Sequence, residues 1–254
     1  MDLLTRDGVR LGYEATGSGP TVLLSHGFAA TSGMWRQQVA ALTGAGYRAV
    51  VWDQRGHGCS DAPDDPAAYS EEMAVADMAA VLDACGAGRV ALVGLSLGGY
   101  LSLAFHLAHP ARVAALVLCD TGPGYKRDDA RANWNRLADR TARGYEERGL
   151  AAVGASPEVR EARHRSATGL ALAARGVLTQ RDARVISSLP TVDAPTLVIV
   201  GADDAPFLAG SEYMAARIPG ARLAVLDGAG HASNIDQPEA FNRELLAFLA
   251  EVEW

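Results

Sequence analysis

The stretch VALVGLSLGGY (residues 90–100) runs from an apolar strand through the turn G-L-S-L-G into a helix. This strand–turn–helix setting is the one in which a G-x-S-x-G motif forms a sharp elbow. The central residue is forced into strained backbone angles, and a side chain at Gly94 or Gly98 would collide with the neighbouring strand and helix. We therefore predict that the Ser96 hydroxyl stands clear of the backbone at a helix N-terminus, where the helix dipole favours negative charge.

On both sides of this stretch, short apolar segments alternate with helix-like segments. Strands that are apolar on both faces suit a parallel sheet covered by helices, so the pattern predicts an α/β fold. An Asp7-Gly8 turn between two strand-like segments predicts a β-hairpin ahead of this sheet, which brings the strands to eight. The other strand candidates are residues 21–25, 48–53, 89–95, 113–119, 196–201 and 222–226. The helix candidates are residues 34–42, 71–84, 98–108, 210–217 and 238–250.

The alternation of strands and helices stops between Gly122 and Asp193. This segment is rich in Arg, Ala and Glu, contains no convincing strand, and is far longer than a normal βα loop. We interpret residues 122–193 as a helical lid inserted over the carboxyl edge of the sheet, where open α/β sheets bind ligands. Residues 1–121 and 194–254 would form the core. The alternative is a helical layer that only adds stability.

A serine nucleophile needs a general base, and the position of His231 suits that role. It ends the sequence D-G-A-G-H, directly after the last predicted strand and before the final helix. In folds with this elbow the catalytic residues follow the chain order Ser, Asp or Glu, His. Among the six histidines only His231 fits that order, so we predict that it is the base.

The acid that orients His231 should lie between Ser96 and His231, after a strand. Asp203 and Asp204 follow the strand candidate 196–201, and Asp120 follows an earlier strand. The carboxylate would bind the imidazole Nδ1–H and stabilise the imidazolium. Asp204 is the first choice, Asp203 the second and Asp120 the third.

An acyl-transfer enzyme also needs two backbone N–H groups that stabilise the oxyanion of its tetrahedral intermediate. The N–H of Leu97 follows the nucleophile directly. The sequence H-G-F at residues 26–28 follows the first central strand, and Gly27 lets the backbone come close to the elbow. We therefore predict that Phe28 and Leu97 donate to the oxyanion, whereas His26 is a structural hydrogen-bonding residue.

Together these segments resemble the α/β-hydrolase superfamily over nearly the whole chain. The resemblance implies the α/β-hydrolase fold, a mostly parallel eight-stranded sheet flanked by helices, with a Ser-His-Asp triad and no metal or other cofactor. The family's G-x-x-D acid loop supports Asp204 over Asp203. Its D-x-R-G-x-G-x-S loop braces the site rather than reacting. The matching segments are H-G-F at 26–28 with Trp35 downstream, D-Q-R-G-H-G-C-S at 53–60, the elbow at 94–98, G-A-D-D at 201–204 and G-H at 230–231.

Within the superfamily the chain looks most like small serine esterases, enol-lactonases and cofactor-free perhydrolases. The related haloalkane dehalogenases and epoxide hydrolases place an aspartate at the elbow, so Ser96 argues against both. We expect hydrolysis of a carboxylic ester. The alternatives are ring opening of an acyl-homoserine lactone or enol-lactone, perhydrolase or haloperoxidase activity, and a receptor without enzymatic activity. The candidates for the walls of an apolar substrate pocket are Trp35, Tyr125, Trp134, Phe207 and Leu208, with Phe28 and Leu97.

Composition limits the partners and the compartment. The 254 residues carry a net charge of −7, which argues against nucleic acid or an anionic membrane as a partner. The three cysteines, Cys59, Cys85 and Cys119, are too far apart for a CxxC motif, and their odd number makes a disulfide framework unexpected. The sequence has no apolar signal segment near Met1, so we expect a cytoplasmic protein with a small-molecule substrate. The oligomeric state stays open.

Overall fold

A central sheet of eight strands organises the computed structural model, which describes residues 1–254. In space the strands follow the order β1-β2-β4-β3-β5-β6-β7-β8. Strand β2 pairs antiparallel with both β1 and β4, and every further pairing in this order, from β4–β3 to β7–β8, is parallel. The predicted eight-stranded, mostly parallel sheet is confirmed. The strands are β1 (Asp2–Arg6), β2 (Val9–Thr16), β3 (Thr21–Ser25), β4 (Arg48–Trp52), β5 (Val90–Leu95), β6 (Val113–Cys119), β7 (Thr196–Gly201) and β8 (Arg222–Leu226).

Helices cover both faces of this sheet. Successive side chains of a strand point to opposite faces. In β3, Leu23 accordingly packs in one cluster of 32 buried residues, and Val22 and Leu24 pack in a second cluster of 31. No helix is both long and apolar enough to cross a membrane. The helices are α1 (Arg36–Gly44), α2 (Glu71–Ala84), α3 (Leu97–Ala108), α4 (Asp128–Arg148), α5 (Ala167–Ala173), α6 (Arg184–Ser188), α7 (Ala205–Arg217), α8 (Ser233–Asp236) and α9 (Pro238–Leu249).

The predicted hairpin forms at the N-terminus. The turn residues Asp7 and Gly8 have φ values of 51° and 78°. Positive φ at both central residues is the geometry of a type I′ turn, whose twist matches that of the strands it joins. Strand β2 then pairs with β4 and ties the hairpin to the sheet.

Helix α1 lies two residues later than predicted and α8 was not predicted, but two other differences are larger. Helix α7 begins at Ala205 rather than Gly210, because Pro206 is compatible with the first turn of a helix. Strand β8 was expected to be buried on both faces, but it lies at the sheet edge with Leu223 and Val225 exposed. Between β6 and β7 the chain forms helices α4, α5 and α6 and no strand, as predicted.

The elbow between β5 and α3 is a very close backbone contact. A Cβ atom at Gly94 would lie 2.2 Å from the Gly98 carbonyl oxygen, and one at Gly98 would lie 2.1 Å from the Ser25 carbonyl oxygen. Both distances are far inside van der Waals contact, so only glycine fits at either position. The glycines thus allow β3, β5 and α3 to meet at Ser96.

Replacing Gly94 by Ala is expected to lower the free energy of unfolding by about 2–3 kcal/mol, because the new methyl group forces the backbone of the elbow apart. The measurement is urea unfolding followed by circular dichroism. Gly88→Ala is the matched control, since a Cβ there meets no atom within 4 Å. Equal unfolding midpoints for the two variants would contradict the packing argument.

Candidate active site

Five chain segments meet at the carboxyl edge of the sheet. Because β3 and β5 to β8 are parallel, the residues that follow them reach the same edge, where open α/β sheets hold their ligands. The segments carry Gly27 and Phe28 after β3, Ser96 after β5, Asp120 after β6, Asp204 after β7 and His231 after β8.

Ser96 occupies the point of the elbow in a strained conformation, with φ of 54° and ψ of −116°. Its N–H donates to the Cys119 carbonyl at 2.9 Å, and the Thr121 hydroxyl donates to the Ser96 carbonyl at 2.6 Å. These two bonds fasten the residue to the end of β6. Ser96 Oγ has no hydrogen-bond partner within the protein.

His231 is held by Asp204. The imidazole Nδ1 and the carboxylate Oδ2 lie 2.8 Å apart, and this carboxylate is buried while the imidazole is 32% exposed. The ring of Phe207 stacks on His231 with 4.7 Å between ring centroids. Of the three predicted acid candidates only Asp204 bonds to the imidazole; Asp203 is exposed. No hydrogen bond joins His231 to Ser96.

The pKa of His231 is set by opposing effects. Burial lowers it, but the hydrogen bond and the charge of Asp204 raise it, with smaller contributions from the charges of Asp120 and Glu158. The net result is a pKa above the ordinary histidine value. The surroundings therefore favour the imidazolium, which is the form a base takes after it accepts a proton.

Asp120 braces the acid and base loops instead of bonding to the imidazole. Its buried carboxylate accepts the Gly201 N–H at 2.9 Å through Oδ1 and the Ser233 hydroxyl at 2.5 Å through Oδ2. Burial is the largest effect on this carboxyl group and raises its pKa to about 7. Asp120 thus joins the end of β7, just before Asp204, to the residues just after His231.

The segment after β3 runs against the elbow and carries the N–H of Phe28, the predicted oxyanion donor. A methyl group on Gly27 would lie 3.4 Å from Ser96 Cβ, so this backbone runs directly against the elbow. The Gly27 carbonyl accepts from His26 Nδ1 at 2.7 Å and from the Ala30 N–H at 3.1 Å. The N–H of the same peptide group belongs to Phe28 and has no partner. The Leu97 N–H is the first of α3, where a helix has no internal acceptor.

The D-x-R-G-x-G-x-S loop has a bracing arrangement. The Asp53 carboxylate accepts the N–H groups of Ser32 at 2.8 Å and Cys59 at 2.9 Å. Arg55 forms a two-bond ion pair with Asp77, and both side chains are buried. These contacts fix the loop and occupy the charged groups of Asp53 and Arg55 in hydrogen bonds and ion pairs within the protein.

The predicted pocket residues divide into three sets. Trp35 has no exposed surface and packs against Phe241 in the core, so its indole has no face for a substrate. Tyr125 and Trp134 lie together within the insertion, with ring centroids 6.1 Å apart, and no contact joins them to His231. Phe207 touches His231, and Leu208 lies beside it in α7, partly buried.

Sequence reasoning missed three residues near the site. Ser233 bonds to Asp120, Glu158 contributes charge at His231, and His164 bonds to the loop that carries Phe28. The position of Ser233, two residues after His231, was the one available signal. Glu158 and His164 lie in the insertion, whose path over the core no motif reveals. No group of three or more His, Cys, Asp or Glu side chains is arranged to hold a metal ion.

Comparison with known proteins agrees with the observed fold. A sequence model described as the alpha/beta hydrolase fold matches residues 20–168. A Variovorax paradoxus protein named "Putative carbamate hydrolase RutD" is 36% identical over 95% of this chain and 97% of its own length. A thermophilic esterase from Thermogutta terrifontis superposes with a TM-score of 0.82 at 30% identity, covering 98% of this chain and 96% of that one. The enol-lactonase from Burkholderia xenovorans has a TM-score of 0.78 at 28% identity, covering 98% of this chain and all of that one.

The contact between Asp204 and His231 predicts that replacing Asp204 lowers kcat far more than replacing the neighbouring Asp203. Asp204→Asn is expected to lower kcat by about 10³–10⁴-fold, because the amide no longer holds the catalytic tautomer or stabilises the imidazolium. The matched control Asp203→Asn changes an exposed residue and should alter kcat by no more than about twofold. Steady-state kinetics on both variants tests this prediction. A larger loss of kcat in Asp203→Asn than in Asp204→Asn would assign the role of the acid to Asp203.

Proposed function

The chain belongs to the α/β-hydrolase family, and from this we propose that it is a serine hydrolase that cleaves a carboxylic ester through an acyl-enzyme on Ser96. The observation that carries the proposal is the bond from His231 Nδ1 to the buried Asp204 carboxylate, at the same sheet edge as the strained Ser96. A serine is a weak nucleophile alone, and a base oriented by a carboxylate is the arrangement that activates it.

Acylation begins when His231 Nε2 takes the Ser96 proton and Ser96 Oγ attacks the ester carbonyl carbon. The carbonyl oxygen becomes an oxyanion, and the N–H groups of Phe28 and Leu97 are the donors that stabilise it. Asp204 stabilises the imidazolium that forms. The imidazolium then gives its proton to the leaving alcohol, and the acyl group stays on Ser96.

Deacylation repeats these steps with water as the nucleophile. His231 takes a proton from the water, and the resulting hydroxide attacks the acyl carbon while the same two N–H groups hold the oxyanion. Collapse of this intermediate breaks the bond to Ser96 Oγ, and His231 returns a proton to it. The acid product leaves and the free enzyme is restored.

A lactone is the second candidate substrate, favoured by the similarity to the Burkholderia xenovorans enol-lactonase over the whole of that chain. The leaving oxygen remains tethered to the acyl group, so a simple lactone gives a single hydroxy acid, and an enol-lactone gives an enol acid that tautomerises to a keto acid. A carbamate, which the name of the Variovorax paradoxus relative suggests, would use the same attack on a carbonyl carbon. The triad is common to all three reactions, so the substrate pocket decides among them.

The helical insertion is the proposed lid of that pocket. Its Tyr145 ring contacts Phe28 with 6.1 Å between centroids, so the insertion reaches the oxyanion segment itself. Phe207, stacked on His231, is a proposed pocket wall on the side of the acid loop. We propose a small-molecule substrate and a cytoplasmic location; all three cysteines are free, as in a reducing compartment.

Titration of released acid at constant pH tests the proposal without an artificial chromophore. The substrates are short and medium esters, γ-lactones and acyl-homoserine lactones. An alkyl carbamate is followed separately by the alcohol it releases, because its other products, bicarbonate and ammonium, leave almost no net acid to titrate. We expect wild-type turnover of one class and a loss of at least about 10⁴-fold in Ser96→Ala, because the nucleophile is gone. The matched control Ser102→Ala, on the same helix with its hydroxyl bonded to the Gly98 carbonyl, should retain activity.

Two outcomes would contradict the proposal. Equal turnover by wild type and Ser96→Ala would show that Ser96 is not the nucleophile. No turnover of any substrate would favour the two alternatives instead: peracid formation, which is tested with acetate and peroxide, or a ligand-binding role without catalysis. The ratio of ester to lactone rates identifies the subclass.

A further inference from the structure

Ala29 directly follows Phe28, the proposed oxyanion donor, in a conformation that is unfavourable for a residue with a side chain. Its φ is 58°, in the left-handed region. Histidine rings bond both of its backbone polar groups: its N–H donates to His57 Nε2 at 3.1 Å, and its carbonyl accepts from His164 Nε2 at 2.8 Å. Two rings from different parts of the chain therefore hold this one strained residue.

His164 comes from the helical insertion and spans two loops of the core. Its Nδ1 accepts the Gly58 N–H at 3.1 Å, while its Nε2 donates to the Ala29 carbonyl. One nitrogen accepting and the other donating define a neutral imidazole with its hydrogen on Nε2. Burial lowers the pKa of His164 and outweighs the opposing effects of the Ala29 carbonyl and Asp53, which favours this neutral form.

We infer that His164 is a positioning residue for the oxyanion hole, through which the helical insertion fixes the loop at residues 27–30. This inference rests on the proposed hydrolase function, since the loop matters for catalysis only if the Phe28 N–H stabilises an oxyanion. His164 touches no reacting atom and acts through the backbone of Ala29.

The connection from Ala29 to the oxyanion donor runs through a single turn. The Ala30 N–H bonds to the Gly27 carbonyl at 3.1 Å, and the conformation of Ala29 decides where that N–H points. The Gly27 carbonyl and the Phe28 N–H lie on opposite sides of one planar peptide group. Fixing the carbonyl from one side therefore aims the N–H at the site from the other. Releasing Ala29 would leave this carbonyl held by the His26 Nδ1 bond alone, so the peptide group would be fixed less firmly in its orientation.

The other groups around Ala29 cannot replace His164. The His57 ring bonds only to the Ala29 N–H and to the Arg55 carbonyl, so it holds one side of the residue. Tyr145 of the insertion meets the Phe28 ring without a hydrogen bond. His164 is thus the one polar link between the insertion and the oxyanion loop.

The test compares three variants. His164→Phe keeps a ring and removes both hydrogen bonds, and His164→Gln restores a donor and an acceptor at the end of the side chain. Asn135→Ala is the matched control, because Asn135 also makes two hydrogen bonds to backbone, those of Gln180, but wholly within the insertion. The readouts are kcat and KM, the inhibition constant of an alkyl boronic acid, whose tetrahedral adduct mimics the oxyanion, and amide hydrogen exchange at Ala29.

We expect His164→Phe to lower kcat by about 10–100-fold with KM within about twofold. A misoriented Phe28 N–H reduces stabilisation of the transition state but not binding of the substrate. The boronic acid should lose affinity by the same factor, and Ala29 should exchange faster. His164→Gln should recover part of kcat. Asn135→Ala should leave kcat, inhibitor affinity and Ala29 exchange unchanged even if it lowers Tm. Unchanged kcat and inhibitor affinity in His164→Phe would overturn the inference, as would an equal loss in Asn135→Ala.

Failure of the proposed function is distinguishable from failure of this inference. If wild type hydrolyses esters and Ser96→Ala does not, the hydrolase proposal stands whatever His164→Phe does. If wild type has no activity, the catalytic role of His164 falls with the hydrolase proposal. Amide hydrogen exchange at Ala29 then still tests whether His164 holds the loop. Unchanged exchange in His164→Phe would show that the two hydrogen bonds of His164 do not fix Ala29.

Discussion

The close approach of three backbone segments at the elbow is the constraint on which the rest of the structure depends. Strands β3 and β5 and helix α3 come so near to one another that a methyl group at Gly94 or Gly98 would overlap a carbonyl oxygen. This contact forces Ser96 to a φ of 54° and leaves its hydroxyl without a partner. The same close packing brings Gly27 against Ser96. One backbone contact therefore places both the nucleophile and the oxyanion loop.

Three neighbouring loops at the carboxyl edge of the sheet each contain a residue in a strained backbone conformation. Four non-glycine residues have positive φ; one is Asp7 in the hairpin turn, and the others are Ala29, Ser96 and Asp120. Such residues persist only where their surroundings overdetermine them. Histidines hold Ala29, the Cys119 carbonyl holds Ser96, and the acid and base loops hold Asp120. Hydrogen bonds within the protein therefore hold all three strained residues in place without a substrate.

Local chemistry made the elbow and the Asp7-Gly8 hairpin predictable, because tight turns demand particular residues at fixed spacing. Chain order limited the acid to Asp120, Asp203 and Asp204, and the resemblance to the family's G-x-x-D loop favoured Asp204, which bonds to His231. Trp35 was predicted to line the pocket but lies in the core. An aromatic residue near a site motif has the same sequence pattern in both places. The roles of Asp120 and His164 depend on contacts between segments more than 100 residues apart, which no local pattern encodes.

The central claim is that Ser96, His231 and two backbone N–H groups form one acyl-transfer site. A crystal structure of the protein after reaction with an alkyl fluorophosphonate tests this most directly, because the adduct mimics the tetrahedral intermediate. The account predicts a covalent bond from Ser96 Oγ to phosphorus, with the phosphonyl oxygen about 2.7–3.1 Å from the N–H nitrogens of Phe28 and Leu97. An adduct on another residue, or a phosphonyl oxygen directed away from both N–H groups, would contradict it.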